Sequence, residues 1–281
     1  MQHIGLIDYY ISEWHANNYP AWITRINGEL GTDFTVSYAW AERDVSPVDG
    51  VDTATWCRTN GITQCKSIAE VCEKSDALII LAPSDPETHL RYAQAVLPYG
   101  KPTYIDKTFA PDLATAEEIM RLSAQYGTPF FSTSALRYAD ALKEFSAPRH
   151  LMITGGGSNL PEYVIHLVEM VVCLQKAPAE SVTVLRQGNQ RICHIEHAEG
   201  ARTTLLYSPA LGYAITGEGA DGSAKHAAVG GGFFDGLMAD ILRFFADSSQ
   251  IPVPNGQTLA VMRLRDAILA ADQNPGSCVA L

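Results

Sequence analysis

This chain of 281 residues lacks any long apolar run, any C-x-x-C cysteine pair, any internal repeat and any low-complexity tract. No stretch approaches the roughly 20 apolar residues of a membrane span, so no membrane partner is expected. The opening residues, Met1-Gln2-His3-Ile4-Gly5-Leu6-Ile7-Asp8, carry no basic segment followed by an apolar core and a small-residue cleavage site. No export signal is expected either. Six cysteines (Cys57, Cys65, Cys72, Cys173, Cys193, Cys278) stand without metal-ligand spacing, so reduced thiols in a cytoplasmic protein and no bound metal are the expectation. Positive charge is scarce: 20 Lys and Arg face 31 Asp and Glu, for a formal net charge of −11. With its acids scattered, such a surface repels phosphate backbones and argues against a nucleic-acid partner.

What is present is an alternation of strand and helix signals. Apolar residues form 47% of the chain and charged residues 18%, the balance of a packed globular protein. Residues 3–7 read as a buried parallel strand. Ser12 reads as the N-cap of a helix over 12–30, stopped by Gly31. A strand over 34–41, a turn-rich stretch over 42–52 and a short helix over 67–73 follow. The strongest strand covers 76–82 and stops at Pro83, which cannot donate to a sheet ladder. Helix 87–97, strand 102–105, helix 113–126 and strand 129–132 complete a pattern that predicts a parallel sheet with right-handed crossovers.

After about residue 135 the pattern changes. A strand over 149–154 leads into Gly155-Gly156-Gly157 and an apolar helix over 161–174. Strands over 181–186, 191–197, 202–208 and 213–217 then follow without intervening helices, which indicates an antiparallel sheet. Helices over 233–245 and 258–271 close the chain. The expected fold is an α/β Rossmann-type domain over 1–135, followed by an α+β domain over 136–281 with an open, mostly antiparallel sheet.

The first strand–helix turn of a doubly wound sheet normally carries G-x-G-x-x-G, whose glycines let backbone amides approach a pyrophosphate. Here the turn reads Gly5-Leu6-Ile7-Asp8-Tyr9-Tyr10-Ile11-Ser12-Glu13. Asp8, Tyr10 and Glu13 stand at the fingerprint positions. A carboxylate beside a pyrophosphate is unfavourable, and a tyrosine takes space a phosphate needs. Either the loop is rebuilt and the cofactor is held mainly elsewhere, or the turn binds no nucleotide and packs its aromatics.

The segment Asp76-Ala77-Leu78-Ile79-Ile80-Leu81-Ala82-Pro83-Ser84-Asp85-Pro86-Glu87-Thr88-His89 resembles the fourth-strand motif of the glucose–fructose oxidoreductase / inositol dehydrogenase / rhizopine catabolism family. Gly100-Lys101-Pro102 and Asp106-Lys107-Thr108 are similar to its Gly-Lys-His and Glu-Lys-Pro elements. Residues 132–138, with Arg137-Tyr138, resemble the opening of its second domain. Gly155-Gly156-Gly157 and Glu162-x-x-x-His166-x-x-Glu169 resemble its glycine run and its Asp-x-x-x-His-x-x-Asp motif. The tail from Phe233-Phe234-Asp235 through Pro252-x-Pro254 to Val279-Ala280-Leu281 is also similar. Any one piece is weak, but the ordered set spans nearly the whole chain. Departures are the missing fingerprint, Thr108 for proline, Glu162 for aspartate, and a short connection between Tyr138 and Gly155.

The resemblance implies hydride transfer between NAD or NADP and a secondary alcohol of a sugar, cyclitol or related polyol, in a homodimer or homotetramer joined through the open sheet. Lys107 would polarise the hydroxyl and His166 would act as acid–base. Glu162, one turn before His166, would orient the imidazole or touch substrate. Cofactor contacts would come from Asp8, Tyr9, Tyr10 and Ile11, from Glu42, from Ala82, Pro83, Ser84 and His89, and from Asp106 with Lys107. Plainer readings stand beside these. Lys107 as a solvated loop residue, His166 as a core histidine and Glu169 as a helix-surface carboxylate are the ordinary cases. His89 contacts the cofactor or merely the preceding loop. Trp14 and Trp40 suit core packing better than adenine stacking. His194-x-Glu196-His197 places its third member on the opposite strand face, which argues against shared ligation. The alternatives in class are a ligand-binding or regulatory protein on the same scaffold, and a non-redox lyase or isomerase.

Overall fold

The computed structural model describes residues 1–281. The chain divides into two compact units, Met1–Thr133 with Leu237–Asn255, and Ser134–Gly236 with Gly256–Leu281. The division at 1–135 and 136–281 leaves 237–255 in the second part, whereas that segment packs into the first unit. There Phe244 meets Phe131 edge-on and Phe245 meets Phe34.

The first unit holds β1 (Gln2–Asp8), α1 (Trp14–Leu30), β2 (Phe34–Ala41), α2 (Thr53–Asn60), β3 (Thr63–Gln64), α3 (Ile68–Lys74), β4 (Ala77–Ile80), α4 (His89–Val96), β5 (Thr103–Ile105), α5 (Leu113–Tyr126) and β6 (Phe130–Phe131). Its six strands are all parallel in the order β3-β2-β1-β4-β5-β6. The strand order reverses between β1 and β4, which opens a crevice at their carboxyl ends. β1 and β4 are buried from Ile4 and Ala77 onward, as parallel strands covered on both faces must be. Gly5 lets α3 close on β1, since a Cβ there would overlap Val71 and Ser75. Two elements were not expected from the sequence. α2 is short and mostly polar, burying only Thr53, Trp56 and Cys57, and is capped at both ends: Asp52 accepts from the Thr55 amide at 2.8 Å, and Gly61 closes it in a left-handed conformation. β3 is only two residues long.

The second unit carries β7 (His150–Gly155), α6 (Leu160–Leu174), β8 (Ala179–Gln187), β9 (Gln190–His197), β10 (Arg202–Tyr207), β11 (Ala214–Glu218), β12 (Ala224–Ala228) and β13 (Cys278–Ala280). α7 (Phe233–Ala246) begins in this unit, and α8 (Asn255–Gln273) lies in it from Gly256 on. The sheet order is β12-β11-β7-β10-β9-β8-β13, with β7 and β10 parallel and every other pair antiparallel. One face is the core, with Leu151, Ile153, Val182, Val184, Cys193, Ile195 and Leu205 buried. Alternation then puts Met152, Leu185, Ile192 and Leu206 on the other face, where Met152 and Leu185 are exposed. All six cysteines are free thiols. No helix is long and apolar enough to cross a membrane.

Candidate functional site

At the carboxyl edge of the parallel sheet, the ends of β1, β4 and β5 gather most of the residues singled out in the first unit. Asp8 ends β1 and is 1% exposed. Its Oδ1 accepts from the amides of Tyr9 at 2.7 Å and Ala82 at 3.0 Å, tying β1 to the loop after β4. Its Oδ2 is buried without a partner. Ala82 sits at φ 62°, a left-handed conformation that an L-residue seldom takes. Lys107, just past β5, is half-buried and donates from Nζ to the Pro83 carbonyl at 3.2 Å. Its neighbour Asp106 is buried, takes the Tyr104 hydroxyl at 3.0 Å and is hydrogen-bonded to His15 Nδ1. His15 in turn stacks on the buried Tyr19 ring, with centroids 5.4 Å apart.

His89 is fully buried, with Nδ1 3.0 Å from the Phe109 carbonyl and Nε2 2.5 Å from the Leu81 carbonyl. It braces the loop after β4, the plainer of its two readings. Burial holds its imidazole below the ordinary pKa, against the pull of both carbonyls. Glu42 is exposed; it pairs with Arg91 and accepts from the Tyr92 hydroxyl at 2.8 Å. Tyr9 and Tyr10 are half-buried and meet edge-on, while Ile11 is buried and Ser84 exposed. Trp14 is 54% exposed, so it is not the core residue expected. Trp40 is half-buried, edge-on to Tyr92.

The residues between β1 and α1 do not fit a pyrophosphate. Ser12 is not the helix cap; Glu13 is, and its carboxylate accepts from the amides of His15, at 2.8 Å, and Ala16. Those are the donors that a phosphate uses on this kind of turn. No residue from Asp8 to Glu13 has a positive φ, so the turn takes a path that needs no glycine. Ser12 is drawn aside: its hydroxyl donates to Asp49 at 2.7 Å and its carbonyl accepts from Ser46 at 2.8 Å.

Three buried carboxyls, Asp8, Glu13 and Asp106, share this edge. The Asp8 carboxyl stands well above the ordinary carboxylate range because burial strips its water, with repulsion from Glu13 and Asp106 added. Its two amide donors only partly oppose this. Burial also raises Glu13, against the pull of His15 and the helix amides. Because the folded chain keeps a proton on Asp8 that the unfolded chain gives up above about pH 4, this group costs stability progressively from that pH up through its folded pKa. Asp8→Asn is therefore expected to raise the melting temperature at neutral pH and to lose that advantage near pH 3–4. Scanning calorimetry across pH checks this; a variant less stable than the parent at neutral pH would contradict it.

In the second unit, His166 lies on α6, half-buried, with Nδ1 2.7 Å from the Ser134 hydroxyl. Aromatic rings flank it: Tyr163 at 5.9 Å and Tyr213 at 6.1 Å between centroids. The glycine run makes room for this arrangement. A Cβ on Gly155 would overlap the Tyr213 ring, one on Gly156 the Ser208 carbonyl, and one on Gly157 the Tyr163 ring. The Tyr213 and Tyr207 hydroxyls donate to the Gly156 and Gly157 carbonyls, each at 2.8 Å. Glu162 shares the helix side of His166, but its carboxylate takes the Asn159 side-chain amide at 3.0 Å, while Asn159 caps the helix at the Glu162 amide. Asn159 thus supplies the N-cap half of a capping box, while Glu162 meets the Asn159 side chain rather than its backbone N–H. Glu169 is not a surface carboxylate: it is buried and pairs with Arg137 at 2.6 Å. His197 is likewise buried, held by the Ala177 carbonyl and Thr203, while His194 and Glu196 are exposed.

His15, Ser134 and the two tyrosines flanking His166, Tyr163 and Tyr213, were missed from sequence, and Glu13 was read as an occupant of the fingerprint rather than as the helix cap. Only Glu13 carried a usable signal, an acid immediately before a helical run.

No family model and no curated protein sequence matches the chain. Solved structures do. GenD2 from gentamicin A biosynthesis, in complex with NAD, superposes with a TM-score of 0.82 at 12% identity, covering 100% of this chain and 97% of its own. The scyllo-inositol dehydrogenase of Lactobacillus casei, with bound NAD(H) and scyllo-inositol, gives 0.80 at 12%, covering 100% and 99%. UDP-N-acetylglucosamine 3-dehydrogenase GnnA from Acidithiobacillus ferrooxidans gives 0.79 at 13%, covering 96% and 97%. The chain therefore has, from end to end, the two-part fold that the resemblance implied.

Proposed function

We propose that this chain is an oxidoreductase acting at a secondary alcohol of a sugar, cyclitol or related polyol. The fold it shares with dehydrogenases of such compounds supports the reading, and one observation carries it. Lys107 emerges at the carboxyl end of β5, half-buried, beside a buried Asp106 that His15 and Tyr104 hold in place. An ammonium so placed donates to a substrate oxygen and stabilises negative charge as the hydroxyl loses its proton. His166, in the second unit, is proposed as an acid–base whose ring Ser134 fixes through Nδ1, with Glu162 on the same side of its helix, one turn before it. The tyrosines beside His166 offer ring faces suited to the C–H faces of a sugar. NAD is bound in GenD2 and NAD(H) in the scyllo-inositol dehydrogenase, and NAD or NADP would be the hydride acceptor or donor in this reading. The turn before α1 does not fit its pyrophosphate, so the reading rests on the placement of Lys107.

The same misfit favours a second reading, a ligand-binding or regulatory protein on this scaffold. A panel of sugars, sugar acids and cyclitols, incubated with NAD or NADP and followed at the nicotinamide absorbance band, separates the two. Alcohol-dependent reduction supports the oxidoreductase. Polyol binding by calorimetry without any reduction supports the second reading and ends the first.

The open face of the second sheet, with Met152 and Leu185 exposed, supports a homodimer or homotetramer through that face. Light scattering at micromolar concentration is expected to give the mass of two or four chains; a monomer would contradict it.

A further inference from the structure

On a doubly wound sheet, a dinucleotide's pyrophosphate is seated by backbone amides at the N-terminus of the first crossover helix. In this chain those amides already have an anion. Glu13, 7% exposed, places one carboxylate oxygen on the His15 amide at 2.8 Å and the other on the Ala16 amide. Asp8, one turn of loop away, holds the Tyr9 and Ala82 amides in the same manner and buries its second oxygen without a partner. Asp106, a third buried carboxyl, stands close enough to both acids to add to their repulsion.

We propose that Glu13 is an internal ligand of the α1 N-terminus, closing the pyrophosphate seat, so that a nicotinamide dinucleotide binds only after the Glu13 carboxylate lets go of the His15 and Ala16 amides. This rests on the oxidoreductase reading for the class of cofactor. It goes beyond that reading in assigning the departure from the glycine fingerprint a consequence: dinucleotide affinity is limited by a group of the chain itself. Two effects oppose the incoming phosphates. The amides must be surrendered by Glu13, and the displaced carboxylate stays within a few bonds of the new anion. Apparent affinity falls by the fraction of molecules in which the seat is open.

The test uses the full chain and two neutral replacements. Glu13→Ser keeps a short N-cap and removes the charge; Glu13→Gln keeps the length and removes only the charge. NADH and NADPH are titrated by calorimetry, with melting curves showing that each variant is folded. Glu13→Ser is expected to bind one of the two reduced dinucleotides at least about tenfold more tightly than the parent, with Glu13→Gln between them. Unchanged or weaker binding in the folded variants overturns the proposal, and if the serine variant does not fold, the glutamine variant decides alone. The two proposals fail separately. A variant that binds tightly yet reduces no cofactor on any polyol leaves the closed seat standing and ends the oxidoreductase reading. A parent that turns over polyols and is indifferent to Glu13 does the reverse.

Discussion

Lys107→Met is expected to lower turnover of the best polyol by at least about a thousandfold, with KM changing far less, because methionine fills the same space without a charge or a donor. The loss falls on the step in which the alcohol oxygen gains negative charge, so kcat and kcat/KM drop together. Lys107 donates in the structure only to the Pro83 carbonyl, on the half-buried rim of the sheet. The substitution removes little packing but also a charge that helps keep the buried Asp106 ionised, so the variant should fold cooperatively with a somewhat lower melting temperature than the parent. Steady-state kinetics on the polyol that scores highest in the panel checks this. A rate within a few fold of the parent would remove Lys107 from the chemistry.

The largest stability effect is expected at His15. Its imidazole is hydrogen-bonded to a buried carboxylate, and leaving such a group without that partner costs about 1–3 kcal/mol or more. His15→Ala strips Asp106 of a principal partner and leaves it the Tyr104 hydroxyl. Burial alone would raise the Asp106 carboxyl, but His15 and Lys107 outweigh it and hold it below the ordinary range. A depressed carboxyl stabilises the fold above the unfolded pKa, about 3.9, and that stabilisation is lost as pH falls through the folded value. The penalty of His15→Ala should thus be full at neutral pH and shrink below about pH 4. Urea unfolding at several pH values checks it, and a penalty independent of pH would show that His15 acts through packing on Tyr19 instead.

The parallel sheet was readable from the sequence because its strands are buried on both faces, which leaves near-continuous apolar runs between turn residues. β4 is the plainest case, with Pro83 as its stop. The second sheet was announced by strand segments that follow one another without intervening helices. Short elements with few apolar residues went unread. α2 has only Trp56 and Cys57 as buried apolar side chains between its Asp52 and Gly61 caps, and β12, Ala224–Ala228, pairs along β11 with little but small and charged side chains. The site split along the same line. Lys107 and His166 stand in local motifs that survive as short strings. His15 and Asp106 lie 91 residues apart and meet only because β1 and β5 flank β4, which no local pattern records. Glu13 and Ser12 competed for one cap. The choice turned on where the 42–52 loop lies, since Asp49 and Ser46 claim Ser12.

The most direct measurement follows the hydrogen itself. Purified chain is incubated with carbinol-deuterated sugars and cyclitols and either NAD or NADP, and the nicotinamide product is examined by mass spectrometry. The account predicts deuterium on the reduced nicotinamide, transferred slowly by the parent, faster by Glu13→Ser and at least about a thousandfold more slowly by Lys107→Met. Nicotinamide that stays unlabelled in both the parent and Glu13→Ser, across the whole panel, would contradict it.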